Sequence, residues 1–143
     1  MESSTSNFAL QRIYLKDLSF ESPVERVSGD IPNVVRFDLD LENTSTKLEK
    51  NVHEVCLNLT GKGVNEEQET IYLIEVAQAG LFLQSGEIEE ELLRKVILVD
   101  CPTIVYPYLR ETVDSVLLRG GWPPVAIGYI DFKANYMKAI KGS

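Results

Sequence analysis

Long apolar runs are missing from this sequence, histidine occurs once, and cysteine occurs twice. No stretch approaches the ~18 apolar residues of a membrane span, so no transmembrane helix is expected. One histidine and two distant cysteines, Cys56 and Cys101, make neither a zinc constellation, nor a Cys-x-x-Cys pair, nor a disulfide framework. The thiols read as reduced, and neither metal nor cofactor is expected. Positive charge is scarce as well. Fourteen Lys and Arg stand against 22 Asp and Glu, a net charge of −8, which argues against nucleic acid or an anionic membrane as the main partner. Residues 1–100 hold nineteen of the acids, so the acidity belongs to the first two-thirds.

The 143 residues suffice for one two-layer domain. Residues 1–7 are polar, with no basic segment leading into an apolar one, so no signal peptide is visible and a cytoplasmic location is expected. They read as a flexible N-terminus before a single domain over 8–141, with 142–143 as the end of the chain.

Periodicity supplies the elements. Between Phe8 and Glu21 the apolar positions shift from odd (Ile13, Leu15) to even (Leu18, Phe20). One extra residue near Lys16–Asp17, a β-bulge, would return both pairs to one face. Residues 22–33 carry two prolines and a glycine without any period and read as a long crossover loop. Val34 to Glu42 alternates strictly, with Val35, Phe37, Leu39 and Leu41 against Arg36, Asp38, Asp40 and Glu42. A third strand carries Val55, Leu57 and Leu59, with Gly61-Lys62-Gly63 read as the start of a turn, and a fourth covers Thr70 to Gly80. The period then becomes helical. Ile88, Leu92, Leu93, Val96 and Val99 mark one helix, and Pro107 is placed at the first position of a second that ends at Gly120-Gly121. Asp131 caps a last helix bearing Phe132, Tyr136 and Ile140. The fold class is α+β: a four-stranded antiparallel sheet with helices packed on one face.

Catalytic chemistry is thin. His53 and Cys56, three apart on a strand, point to opposite faces and make no nucleophile pair. Asp38 and Asp40 read as a solvated strand face rather than an acid/base pair. Gly61-Lys62-Gly63 lacks the spacing of a phosphate loop. An enzyme is therefore not expected.

Specific strings carry more. Gln11-Arg12-Ile13-Tyr14-Leu15-Lys16-Asp17-Leu18-Ser19-Phe20-Glu21-Ser22-Pro23 resembles the opening strand of the protein-export chaperone SecB family. Cys101-Pro102-Thr103-Ile104-Val105-Tyr106-Pro107-Tyr108-Leu109-Arg110-Glu111 and Arg119-Gly120-Gly121-Trp122-Pro123-Pro124 resemble its signature helix and following loop. Asp131-Phe132-Lys133-Ala134-Asn135-Tyr136-Met137 is similar to its last helix. The resemblance implies an ATP-independent holdase that keeps secretory precursors unfolded and delivers them to the translocation ATPase SecA. It also implies a homotetramer, a dimer of dimers in which first-strand edges pair within a dimer and long helices pack between dimers. Apolar residues on several sides of the long helix (Tyr108, Val113, Leu117, Leu118) agree with a covered face.

By the same resemblance, SecA docking falls on Asp17, Glu21, Leu73 and Glu75. Client binding falls on the loop residues Val24, Val27 and Ile31, with Tyr72, Phe82, Tyr106, Trp122, Phe132 and Tyr136 as candidate lining. Neither nucleic acid nor direct membrane insertion is implied. Two alternatives stay open: a SecB-like chaperone for another client such as an antitoxin, and a carrier of a small apolar ligand. The chain departs from the family's acidic C-terminal tail, since it stops at a short basic segment, Lys138 to Ser143.

Overall fold

The computed structural model describes residues 8–23 and 33–142. Four antiparallel strands, β1 (Phe8–Glu21), β2 (Arg36–Glu49), β3 (Val52–Val64) and β4 (Thr70–Gln84), form one sheet in the order β1-β4-β3-β2. The connection from β1 to β2 therefore runs between opposite edges of the sheet. The expected crossover loop falls there, and residues 24–32 of it lie outside the described residues. A short α1 (Glu90–Lys95), a π-turn (Val96–Asp100) and α2 (Cys101–Arg119) follow, and α3 (Phe132–Gly142) closes the chain.

The parity shift in β1 is a bulge at the expected place. The register on β4 slips between Leu15 and Asp17, so Leu15 pairs with Gln78, Asp17 with Ala77 and Leu18 with Val76. A second slip, between Leu10 and Arg12, is not marked by the apolar pattern. Ile13, Leu15, Leu18 and Phe20 thus share the helix-facing side with Val76 and Ile74, while Asp17, Ser19 and Glu21 turn to the other side.

Three sequence expectations are corrected. Gly61 and Gly63 begin no turn; both lie inside β3, opposite Leu39 and Phe37 on one side and Ile74 and Tyr72 on the other. A Cβ on Gly63 would lie 2.6 Å from the Tyr72 ring, so glycine serves close packing rather than chain reversal here. Pro107 opens no helix; it sits in the interior of α2 on the exposed side, and the helical run continues from Glu90 to Arg119. Its missing N–H costs about 3 kcal/mol. Burial of the ridge Cys101, Val105, Leu109, Val113 and Leu117, one residue every four, outweighs that at roughly 1.5–3 kcal/mol per large apolar side chain. Finally, β2 continues seven residues past Glu42, to Glu49. Both faces of that end are wet, so no alternation marks it.

The π-turn has a local cause. Cys101 N–H donates to the carbonyl of Val96, five residues back, and Pro102 has no N–H with which to resume the α pattern. At the far end Trp122 N–H donates to Leu117 O at 2.8 Å and Gly121 N–H to Leu118 O at 3.0 Å, with Gly121 at φ 85°, a Schellman stop. Asp131 caps α3 as expected, its Oδ1 accepting the Ala134 N–H at 2.9 Å.

The core lies between the α2 ridge and the inward side chains of β3 and β4, with Tyr72 at one end touching the rings of Phe20, Phe37 and Trp122. Gly80 is where α2 comes closest: a Cβ there would lie 2.9 Å from Val105 and 2.8 Å from Phe82, both fully buried. Gly80→Ala is expected to lower the unfolding free energy by about 1–3 kcal/mol, the usual cost of overpacking. Urea denaturation of both proteins measures it, and an unchanged midpoint would show that the helix gives way freely.

Candidate functional site

Two surfaces stand on opposite faces of the sheet. On the face away from the helices, paired residues form rows across the strands in the order β1-β4-β3-β2. Asp17, Ala77, Asn58 and Glu42 make one row; Ser19, Glu75, Thr60 and Asp40 the next; Glu21, Leu73, Lys62 and Asp38 the one after. The four residues expected to dock SecA therefore sit together, with Glu75 opposite Ser19 and diagonal to Asp17 and Glu21, and Leu73 opposite Glu21. Asp17, Glu21 and Glu75 are exposed, Leu73 is half-buried, and Asp38 and Asp40 extend the acidic field. Asp38 is held by Arg36, whose Nε donates at 2.7 Å; that hydrogen bond keeps the carboxyl below its usual range, with Lys62 adding to the effect.

At the other end of this face is a buried acid that the sequence did not single out. Glu54 on β3 is only 8% exposed. Its Oε2 accepts the Tyr14 hydroxyl at 2.5 Å and its Oε1 meets the Lys16 ammonium at 2.8 Å. Both partners come from β1, so their side chains cross the intervening β4, where Tyr14 faces the fully buried Ala79 and Glu54 pairs with Leu81. Burial pushes the Glu54 carboxyl up, but the hydrogen bonds from Lys16 and Tyr14 and the Lys16 charge outweigh it and leave it below the usual value. Tyr14 moves the other way, to about 12, through its burial and its bond to the carboxylate.

On the helix side, β2, the π-turn and α3 enclose an open groove of about 360 Å³ lined by Leu41, Asn43, Leu98, Ile130, Phe132, Asn135, Tyr136 and Ala139. Phe132 and Tyr136 were expected in such a lining. Tyr106 backs Phe132 edge-on at 5.8 Å and donates from its hydroxyl to Gly128 O at 2.6 Å. Tyr106, Tyr72, Phe82 and Trp122 are themselves buried in the core and do not line the groove. Val24, Val27 and Ile31 lie outside the described residues. Asn43 Oδ1 is buried and without a hydrogen-bond partner among the described residues, a polar feature of this lining that apolar periodicity could not announce.

The remaining candidates resolve simply. His53 faces the helix side, stacked on Phe8 at 5.2 Å with Nε2 at 2.8 Å from Gln84 Oε1, while Cys56 lies on the opposite face. No cluster of three metal-ligating side chains occurs among the described residues, and no helix of the described chain is long and apolar enough to cross a membrane. In α2, Val113 and Leu117 belong to the core, whereas Ile104, Tyr108 and Leu118 are exposed, as are Leu10, Leu15 and Leu18 on the edge strand β1.

One sheet thus carries helices and an apolar groove on one face and an acidic field on the other. The model of the family described as preprotein translocase subunit SecB matches residues 1–143. Among curated proteins, the protein-export protein SecB of Legionella pneumophila is 36% identical over 140 residues, covering 98% of this chain and 85% of its own length. That of Marinobacter nauticus is 39% identical over 134 residues, covering 94% and 80%. A SecB-like chaperone from Mycobacterium tuberculosis, solved in complex with a peptide from an antitoxin, shares the fold with a TM-score of 0.72 at 17% identity, covering 88% of this chain and 93% of its own. The chain belongs to the SecB family of protein-export chaperones.

The Glu54 pair makes stability depend on pH. A carboxyl held below its unfolded value contributes stability that is complete above that value, near 4.5, and is lost as pH falls through the folded one. Wild type is expected to exceed Glu54→Gln in thermal stability at pH 6–7, with the gap closing below about pH 4.5. Melting curves of the two proteins across that range check it; a gap independent of pH would mean that the pairing contributes nothing through its charge.

Proposed function

We propose that this protein is an ATP-independent holdase that keeps secretory precursors unfolded in the cytoplasm and passes them to SecA. The observation that carries this reading is the division of labour between the faces of one sheet. An open apolar groove lies on the helix side, and an acidic patch around Leu73 lies on the other, so client and SecA can be bound at once.

The groove suits unfolded chain. Phe132 and Tyr136 offer apolar area at low entropic cost. A closed pocket for one compact ligand would be enclosed, whereas this site opens to solvent; several copies in an assembly would hold a long chain at many weak points. Val24, Val27 and Ile31 of the crossover loop are proposed to add to that surface. The exposed leucines on the β1 edge and the exposed Ile104, Tyr108 and Leu118 on α2 support assembly into a dimer of dimers.

On the outer face, exposed acids around a half-buried leucine suit a basic partner segment with an apolar anchor. Asp17→Lys and Glu75→Lys are each expected to weaken SecA binding by about 1 kcal/mol or more while leaving client holding intact. Isothermal titration at low salt tests this, and reversals that bind as tightly as wild type would move the partner site elsewhere. Tyr136→Ala is expected to do the converse. It should raise the concentration of protein needed to suppress aggregation of an unfolded precursor without nucleotide, leaving SecA affinity in place. If wild-type protein at stoichiometric amounts leaves precursor aggregation unchanged, the holdase reading fails.

A further inference from the structure

The acidic patch lies next to a cation that ought to spoil it. Lys16 is the extra residue of the β1 bulge, immediately before Asp17, and its side chain leaves the strand on the outer face. An ammonium on a flexible four-carbon stem there is within reach of Asp17. Yet its Nζ is drawn the other way, 2.8 Å from Glu54 Oε1 and two strands across. The second cation on this face of β1, Arg12, is engaged with Tyr14, its guanidinium 5.7 Å from the ring centre. Tyr14 in turn donates to Glu54. Asp17, Glu21 and Glu75 make no ion pair among the described residues.

We propose that Glu54 is a positioning residue for partner docking: it holds Lys16 off the acidic patch, so that Asp17, Glu21 and Glu75 present their charge undiminished to a basic segment. This rests on the reading of that face as the SecA-docking surface. The device depends on two features of the fold. The bulge gives β1 a residue free of the regular register, and the small Ala79 of β4 leaves a track along which the Tyr14 and Lys16 side chains reach β3. Glu54 itself, buried in that track, need not touch the partner.

A merely structural role makes a different prediction. If the pair only held the bulge in shape, removing either partner would weaken docking. If Glu54 acts by sequestering Lys16, the two removals have opposite signs. Titration of SecA at low ionic strength into wild type, Glu54→Gln, Lys16→Met and the double variant separates the cases, with Asp17→Lys alongside. Glu54→Gln, which keeps side-chain volume and an acceptor for Tyr14, is expected to bind about threefold to fivefold more weakly, the scale of one exposed ion pair formed with the freed lysine. Lys16→Met is expected to bind at least as tightly as wild type, and the double variant to regain wild-type affinity. Loss of affinity in Lys16→Met, or none in Glu54→Gln, overturns the proposal while the docking reading stands. An Asp17→Lys protein that binds as wild type overturns both. Should Glu54→Gln fail to fold, Glu54→Asp takes its place: its shorter side chain draws the carboxylate back from Lys16 without changing net charge, the same weakening is expected, and wild-type affinity in it overturns the proposal.

Discussion

The rings packed around Tyr72 fix what the remainder of the sheet can do. Tyr72 lies between Phe20 of β1, Phe37 of β2 and Trp122 behind α2, with centroids 5.3–6.3 Å from each. Because Phe20 must point into this cluster, the last turn of β1's pleat is set, and Ser19 and Glu21 can only face outward. The acidic patch is thus a by-product of apolar packing on the opposite side. Charge chose which residues occupy those positions, but burial chose the positions.

The same packing separates rigid from adaptable parts. The α2 ridge and the aromatic cluster are sealed, and the groove between β2 and α3 borrows their stiffness through Tyr106, which backs Phe132 and ties down the loop carbonyl of Gly128. The client binding proposed for this groove would need a firm floor and an open side, since a floor that had to be ordered by each client would subtract from the contact. The groove's outer wall, β2, is an edge strand with its far half wet on both faces, which leaves room for chains of different bulk.

Much of this was legible in the residues. Alternation from Val35 to Leu41 located the inner face of β2, the odd-to-even shift between Leu15 and Leu18 located a bulge, and Asp131 announced α3. What stayed hidden depends on neighbours distant in the chain. Gly61 and Gly63 look like turn residues until the Phe37 and Tyr72 rings are seen to need their missing side chains. Pro107 looks like a helix start until the buried ridge on both sides of it is weighed against one lost hydrogen bond. Glu54 reads as one more acid on a polar face, because nothing local says that Tyr14 and Lys16 reach it across β4. The aromatics Tyr72, Phe82, Tyr106 and Trp122 carry no local mark that distinguishes core from groove; only the depth of packing does so.

The two slips in β1 have a consequence for how this strand can change over generations. Each adds one residue and so reverses inside and outside for everything beyond it, and together they return the strand to its starting phase: Phe8 and Phe20 are both even-numbered and both point inward. Substitutions along β1 alter one side chain at a time, but loss of a single residue would exchange the two faces for the rest of the strand, carrying leucines onto the acidic face and acids under the helices. Length here is constrained in steps of two, and a lineage that sheds one bulge is viable only if it sheds the other.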